Sequence, residues 1–445
     1  MAPASAHQSE EAAYPLPKAK RAYFLVLLTI IYALAFVDRQ IINILAEPIK
    51  RDLHLADWQM GAMTGFAFAL LYTVLGLPLA RLSERGNRSW IISAALVTWS
   101  GFTALSAYAN NFTHLLMARI GVGIGEAGCV PPAHALITDI TPRSKRAGAL
   151  AVFSSGLPIG TLLGMVLGGV VAEFYGWRSA FLLVGLPGVL LALVFVLTAK
   201  DPRAAELRDK MRPAAEILPM RETLALLWAT KSFRWMALGG ALIAFAGYGH
   251  QSFFGSFYLR NHAPGLDAVA AYFGFQGRLA VLGILLGLIL GVSATFGTGS
   301  GGSLADRFGK KGPQGYLFVP IWATAISVPF LVGTFLVSST TLSLGLLIIP
   351  SFLKAMWYGP IFACVQSIVP SRSRATAVAT FLFVVNAIGI GLGPMSAGLI
   401  SDVMSKTLGE AEGLRVSMII LSLEVLLAAG CFWMARRTIA QDFRS

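Results

Sequence analysis

Apolar runs of roughly 20 residues recur along the chain, and each is long enough to cross a hydrocarbon core of about 30 Å as an α-helix. The pattern predicts twelve such helices: 22–46, 58–80, 89–109, 113–136, 145–172 and 177–199 in the first half, then 233–258, 270–303, 314–336, 342–368, 372–402 and 413–436 in the second. Between 200 and 232 it gives way to a charged, proline-punctuated stretch that is long beside the other loops and reads as a linker. The expectation is an all-α integral membrane protein of twelve transmembrane helices in two six-helix bundles. A tail covers 1–21, one bundle 22–199, the linker 200–232, the second bundle 233–436 and a second tail 437–445.

The two halves also look alike. After the second helix of each comes a related stretch, "ARLSERGNR" from Ala80 to Arg88 and "GSLADRFGK" from Gly302 to Lys310, with Glu84 and Arg85 matching Asp306 and Arg307 at an offset of 222. After the fourth helix, "TPRSKRAGA" and "VPSRSRATA" pair Pro142 with Pro370 and Arg146 with Arg374 at an offset of 228. Two independent matches at nearly equal offsets point to a duplicated, pseudo-symmetric unit, the architecture of a transporter whose halves rock around a central site. An acid that ends one helix and bases that begin the return suit an interface of charges and helix dipoles.

Composition agrees with the membrane reading, since 56% of residues are hydrophobic and 13% charged. The net charge of +13 raises nucleic acid as a partner, but the placement of the bases removes it. With the N-terminus in the cytoplasm, the even-numbered loops and both tails hold 25 of the 35 basic residues, the opposite side holds six, and four fall within the spans. That asymmetry places both termini in the cytoplasm. Cys129, Cys364 and Cys431 lie in apolar segments without paired spacing, so neither a disulfide framework nor a zinc site is expected. The opening stretch up to Pro17 is polar and the first apolar run is long, which argues against a cleavable signal peptide. No nucleophile–base or metal constellation emerges, so an enzyme is not expected.

"RIGVGIGEAGCVPP", residues 119–132, carries Gly123, Gly125 and Gly128 in the spacing of a dinucleotide-binding turn. That turn needs a preceding strand, whereas these glycines sit mid-helix, where they and Gly121 serve close helix packing. Arg119 and Glu126 in the same stretch share one helix face about two turns apart. A charge at mid-membrane costs about 2.5–3.5 kcal/mol, so such residues face a cavity or a partner. Counted from the cytoplasmic ends, Arg119 and Asp38 come out at about equal depth, and Glu126 about 10 Å closer to the cytoplasm. Asp38 then pairs with Arg119 or with its neighbour Arg39, leaving Glu126 in drier surroundings. A carboxylate that exchanges arginine partners as the halves move would change its proton affinity; a static network that only orients helices is the alternative. Asn43 and Glu47 extend a polar stripe along helix 1, lining the same cavity or, for Glu47, marking the helix end. In the second half the charges at membrane depth are basic, Arg278 and Lys354, suited to an anionic head group or to snorkelling and structural roles. His250 reads as a hydrogen-bonded core residue before a proton carrier. Tyr248, Trp357 and Tyr358 form a cavity wall or plain packing.

The paired loop motifs resemble those of the major facilitator superfamily over essentially the whole chain, from about Ala22 to Arg437. The first copy departs from the pattern at Ala80, Glu84 and Asn87 but keeps the carboxylate and its arginines. "FVDRQ", "GVGIGEAG" and "FSSGLPIGTLLG" look like the Spinster branch, known for sphingolipid and lysophospholipid transporters. The resemblance implies that Asp38, Arg39, Arg119 and Glu126 couple protons to transport, and that Glu84, Arg85, Arg88, Asp306, Arg307 and Lys310 latch the cytoplasmic side. It implies a secondary active transporter driven by a proton gradient with no cofactor and no metal. Export of a lipid-like or amphiphilic solute by antiport is expected, from a monomer in a bacterial inner membrane. Organic-anion symporters of the same superfamily share the aspartate–arginine and glutamate–alanine pairs, and for that alternative Arg278 and Lys354 become carboxylate ligands. A lipid-binding membrane receptor that moves nothing is the third reading, disfavoured by two matched latches.

Overall fold

The computed structural model describes residues 16–142, 145–201, 220–310, 312–370 and 373–442. Most of the expected linker, the outermost residues of both tails, Arg143, Lys311, Arg372 and the side chains of Glu84 and Arg85 lie outside the described residues.

All described secondary structure is helical. The first half holds α1 (Lys18–Ile44), α2 (Ala46–Leu53), α3 (Asp57–Gly61), a π-helical turn (Ala62–Phe66), α4 (Ala67–Arg85), α5 (Arg88–Ser106), α6 (Phe112–Ala127), α7 (Val130–Ile140), α8 (Arg146–Ser154) and α9 (Gly156–Thr198). After α10 (Met220–Ala229) come α11 (Lys231–Asn261), α12 (Ala263–Tyr272), α13 (Arg278–Gly309), α14 (Pro313–Tyr316), α15 (Phe318–Leu336), α16 (Thr340–Ala355), α17 (Tyr358–Ser367), α18 (Arg374–Leu408) and α19 (Glu410–Asp442).

Among the described residues ten stretches are long and apolar enough to span a membrane. One of them, Gly148–Thr198, turns at Gly176 (φ 80, ψ 162) and so makes two rods. That backbone region favours glycine because it has no Cβ to clash. A further rod, α11, is 31 residues long but more polar, and buries Gly239, His250, Ser252 and Ser256 inside the protein. The fold is therefore twelve rods. Each alternates in direction, so one end of the molecule carries the start of α1 and the end of α19; we call it the terminal end and its opposite the far end.

The duplication is visible in three dimensions. Helices α6 and α16 are both 16 residues long, start at Phe112 and Thr340 and are capped by the side chains of Asn111 and Ser339. Their starts keep the offset of 228 found between the loop stretches after the fourth helix of each half. Both helices break and resume at that same offset, as α7 from Val130 and α17 from Tyr358, and it holds again where α8 and α18 begin at Arg146 and Arg374.

Glycines let the halves meet. A Cβ on Gly169 would stand 2.6 Å from the carbonyl oxygen of Leu279, and the α carbons of Gly169 and Gly283 face each other across α9 and α13. Within the first half, Gly123 and Gly125 have the same role against Phe68 and Trp99, which accounts for the "GVGIGEAG" glycines by packing.

The cores reveal the overall shape. One apolar core toward the far end draws on both halves, with Ile41, Ile44, Met165 and Phe181 packed together with Phe253, Phe257, Leu282 and Leu421. Toward the terminal end the cores are distinct, one around Leu28, Trp99 and Phe153 and another around Phe233, Phe381 and Phe432, with only Ile390 and Tyr248 of the second half reaching the first among the described residues. The halves are thus joined at the far end and parted at the terminal end.

Candidate functional site

At mid-depth in the first half, α1 places two adjacent charged residues, and successive helical positions diverge by about 100°. Asp38 turns into the bundle and Arg39 toward the space between the halves. The Asp38 carboxylate accepts a hydrogen bond from Thr103 at 2.7 Å and lies 3.5 Å from the guanidinium of Arg119. That second distance is long for a charge-assisted bond, whose usual length is about 2.7–2.9 Å. Oδ2 of Asp38 and Nε of Arg119 are buried without a hydrogen-bond partner. Arg119 otherwise reaches Ser106 at 3.3 Å and lies over the Phe181 ring.

Arg39 makes the tighter pair. Its Nε and Nη2 donate to one carboxylate oxygen of Glu126 at 2.7 and 2.6 Å, and Oε1 of Glu126 is left unpartnered. The guanidinium is held among the rings of Phe36, Phe68 and Tyr72, at 4.6–5.1 Å from their centroids. Arg39 keeps 20% of its side chain exposed while Glu126 keeps 1%. Of the two partners open to Asp38 the structure gives it Arg119, and Glu126, expected only in drier surroundings, takes Arg39: the seven-residue spacing that puts Arg119 and Glu126 on one face of α6 lets each take a different member of the Asp38–Arg39 pair. Two carboxylates and two arginines, with spare oxygens on both acids, form a set in which a proton on either acid frees an arginine.

The space beside Arg39 is aromatic. Tyr32, Tyr72, Tyr248 and Tyr358, drawn from both halves, lie within electrostatic reach of Arg39 or of one another. Tyr248 is half-buried and Tyr358 is 38% exposed, whereas Trp357 is buried against Tyr358 and Phe432. Lys354 is half-buried and points its ammonium toward His250 Nδ1 at 3.5 Å. His250 itself is fully buried and bonds Met418 and Ser422, so it stands behind the cavity wall.

Two cavity expectations are overturned. Arg278 opens α13 at the far end, where it pairs with Asp267 at 3.0 Å and is 42% exposed. The expected span began at 270, but α12 and a turn at Gly274 occupy those residues, so the arginine falls at a helix end. Asn43 is buried and bonds Gln40, and Glu47 belongs to a different cluster.

That cluster closes the far end. Arg260 of α11 grips Asp57 with two hydrogen bonds of 2.7 and 2.8 Å and Glu47 with one of 2.8 Å, bridging the halves. Asp57 also accepts from Ser401 at 2.6 Å and pairs with Lys50 at 3.0 Å. The carboxylate of Asp402 caps α3 by accepting from the amides of Asp57 and Trp58. Nearby but within the first half, Asp52 accepts from Trp177 and Arg178, and the Arg178 hydrogen bond holds its carboxyl below the usual carboxylate range. Sequence reasoning missed Asp57, Asp402 and Ser401, because short polar breaks at span ends look like ordinary loops.

At the terminal end Asp306, Arg307 and Lys310 are all exposed. Arg88 is buried within its own half, its guanidinium on Asp139 at 2.6 Å and its amide on Asp201 at 2.9 Å.

Comparison with known proteins finds relatives over most of the chain. Residues 28–394 match the Major Facilitator Superfamily. The chain is 30% identical over 425 residues to an MFS-type efflux pump of Mycolicibacterium smegmatis, covering 94% of each. It is 25% identical to a hexuronate transporter of Bacillus subtilis, covering 82% of this chain and 85% of that one. A solved bacterial homologue of the human lysosomal transporter Spinster, inward-facing and unoccupied, superposes with a TM-score of 0.84 at 32% identity, covering 97% of this chain and 100% of that one.

Proposed function

We propose a proton-coupled export cycle for this chain, which belongs to the major facilitator superfamily and is Spinster-like within it. It is a multi-pass membrane transporter, not an enzyme. The observation that carries the coupling is the Arg39–Glu126 pair, which puts a cavity-facing cation on a buried carboxylate. In our reading the terminal end faces the cytoplasm and the described state is open to it. An amphiphilic solute enters between the halves, its chain against the aromatic walls and its polar head near Arg39. A solute head that draws Arg39 away and a proton that neutralises Glu126 act on the same pair, and Asp38 with Arg119 offers the arginine a second arrangement of charges. Closure at the terminal end, through the Glu84–Arg85–Arg88 and Asp306–Arg307–Lys310 motifs, then opens the far end.

The similarity to an efflux pump supports the outward direction. The similarity to a hexuronate transporter, together with the half-buried Lys354, favours one second reading, proton symport of small organic anions. The test is flux into proteoliposomes under an imposed pH gradient, with a labelled lysophospholipid and a hexuronate offered separately. Gradient-driven lysophospholipid movement that is lost in Asp38→Asn and Glu126→Gln supports export of amphiphiles. Hexuronate movement alone overturns it in favour of the symporter.

A further inference from the structure

The two halves carry opposite charges at matching places. Glu126 and Lys354 are related by the same offset of 228 that relates α6 to α16, and each stands just before the last residue of its helix. Glu126 is taken by Arg39. Lys354 has no such partner: among the described residues its ammonium forms no ion pair, and its hydrogen bond runs to His250 Nδ1. With Nε2 of His250 3.0 Å from the Met418 carbonyl, the neutral tautomer that donates there leaves the Nδ1 lone pair to receive the ammonium. The imidazole packs against both Phe254 and Phe335, which fixes the direction in which Nδ1 meets the lysine. Gly247 leaves room on the near side, where even a Cβ would come no closer than 3.9 Å to Nζ.

One acid answers this lysine. Glu424 on α19 is the carboxylate whose field acts on Lys354, and Lys354 is the cation whose field acts on Glu424. Both Glu424 oxygens are buried and neither has a hydrogen-bond partner. An unpaired carboxylate in an apolar helix is costly, and a cation held in its field without contact is free to take another anion.

We propose that Lys354 is the post for an anionic group of the solute, and that Glu424 is its resident competitor. A carboxylate or phosphate in the cavity competes with the field of Glu424 for the ammonium; when it leaves, the lysine rests on His250 within that field. His250 is a positioning residue that keeps the ammonium at the cavity wall. The proposal rests on the cavity reading above and specifies the charge of what the cavity takes.

Equilibrium binding to the full-length protein in nanodiscs tests it without any pH gradient, so a failure of proton coupling cannot be confused with a failure of the post. The probes are dodecyl phosphate, dodecyltrimethylammonium and glucuronate. Lys354→Met should weaken an anionic probe by about tenfold or more, as expected for a lost hydrogen bond to a charged group. Lys354→Arg should retain the binding, which guards against a folding defect, and Glu424→Gln should tighten it severalfold. Dependence on Lys354 for dodecyl phosphate identifies the anion as an amphiphile's head group, and dependence for glucuronate alone identifies a small solute. The proposal is overturned if neither anion responds to Lys354→Met, if Glu424→Gln weakens anion binding, or if the trimethylammonium probe loses as much affinity as the anions.

Discussion

Replacing Arg260 with methionine should open the far end. The residue is 4% exposed at its side chain and supplies three of the charge-assisted bonds that tie α11 to Glu47 and Asp57. Methionine keeps most of the apolar stem and removes only the fork. Breaking a buried ion pair from one side costs about 3–5 kcal/mol, because the remaining charge is left uncompensated. Here Lys50 and Ser401 still serve Asp57, and Arg51 still serves Glu47, so the low end of that range applies. A shift of about 3 kcal/mol changes the ratio of closed to open far ends by roughly 150-fold. The cost falls on the closed state alone, since the bonds cross the halves and are absent once they part. Spin labels at Asn110 and Thr341, both exposed at the far end in opposite halves, report that distance. The variant should gain a longer-distance population that the wild type lacks. An unchanged distance distribution in a well-folded Arg260→Met protein would refute the claim that this cluster holds the end shut.

Three further outcomes follow from the same geometry. Gly283→Leu should block assembly of the closed far end, because even a Cβ there collides with the Met165 carbonyl; the labels above should show separation without any change in charge. Arg278→Met should move neither distance nor melting temperature measurably, since an exposed pair such as Arg278–Asp267 contributes about 0–1 kcal/mol. Asp52→Asn tests the sign of a shifted carboxyl at the far surface. Its lowered value means that the stabilisation is present above the unfolded carboxylate range and is lost as pH falls through the folded one, so any melting difference at pH 7 should vanish in acid. Because Asp52 is 45% exposed, that difference should stay below about 1 kcal/mol.

Much of this architecture was legible in the chain. Twelve rods follow from the length of the apolar runs, and the duplication follows from two loop matches at offsets of 222 and 228, the second of which recurs in the helix boundaries themselves. The four mid-membrane charges of the first half were legible as a group because bare charges in apolar helices have few other reasons to exist. Their pairing was not, since depth along a helix says nothing of rotation, and it is rotation that sends Asp38 to Arg119 and its neighbour Arg39 to Glu126. Arg278 was misplaced because the expected span ran from 270 while the helix begins at the arginine itself, enough to turn a surface ion pair into a cavity residue. Glu424 escaped notice although "LSLEVLL" holds a lone acid in an apolar run, the same signal that singled out Glu126. The far-end cluster draws on residues from several helices of both halves, and no local pattern announces such a meeting.

The central claim is that solute and proton act on one ion pair, Arg39 with Glu126. Its most direct measurement places a pH-sensitive dye inside proteoliposomes and imposes a gradient of transported solute with no initial pH difference. The account predicts proton movement opposite to the solute, lost in Glu126→Gln while solute binding persists. Solute flux with no proton movement, or proton movement that survives in Glu126→Gln, would contradict it.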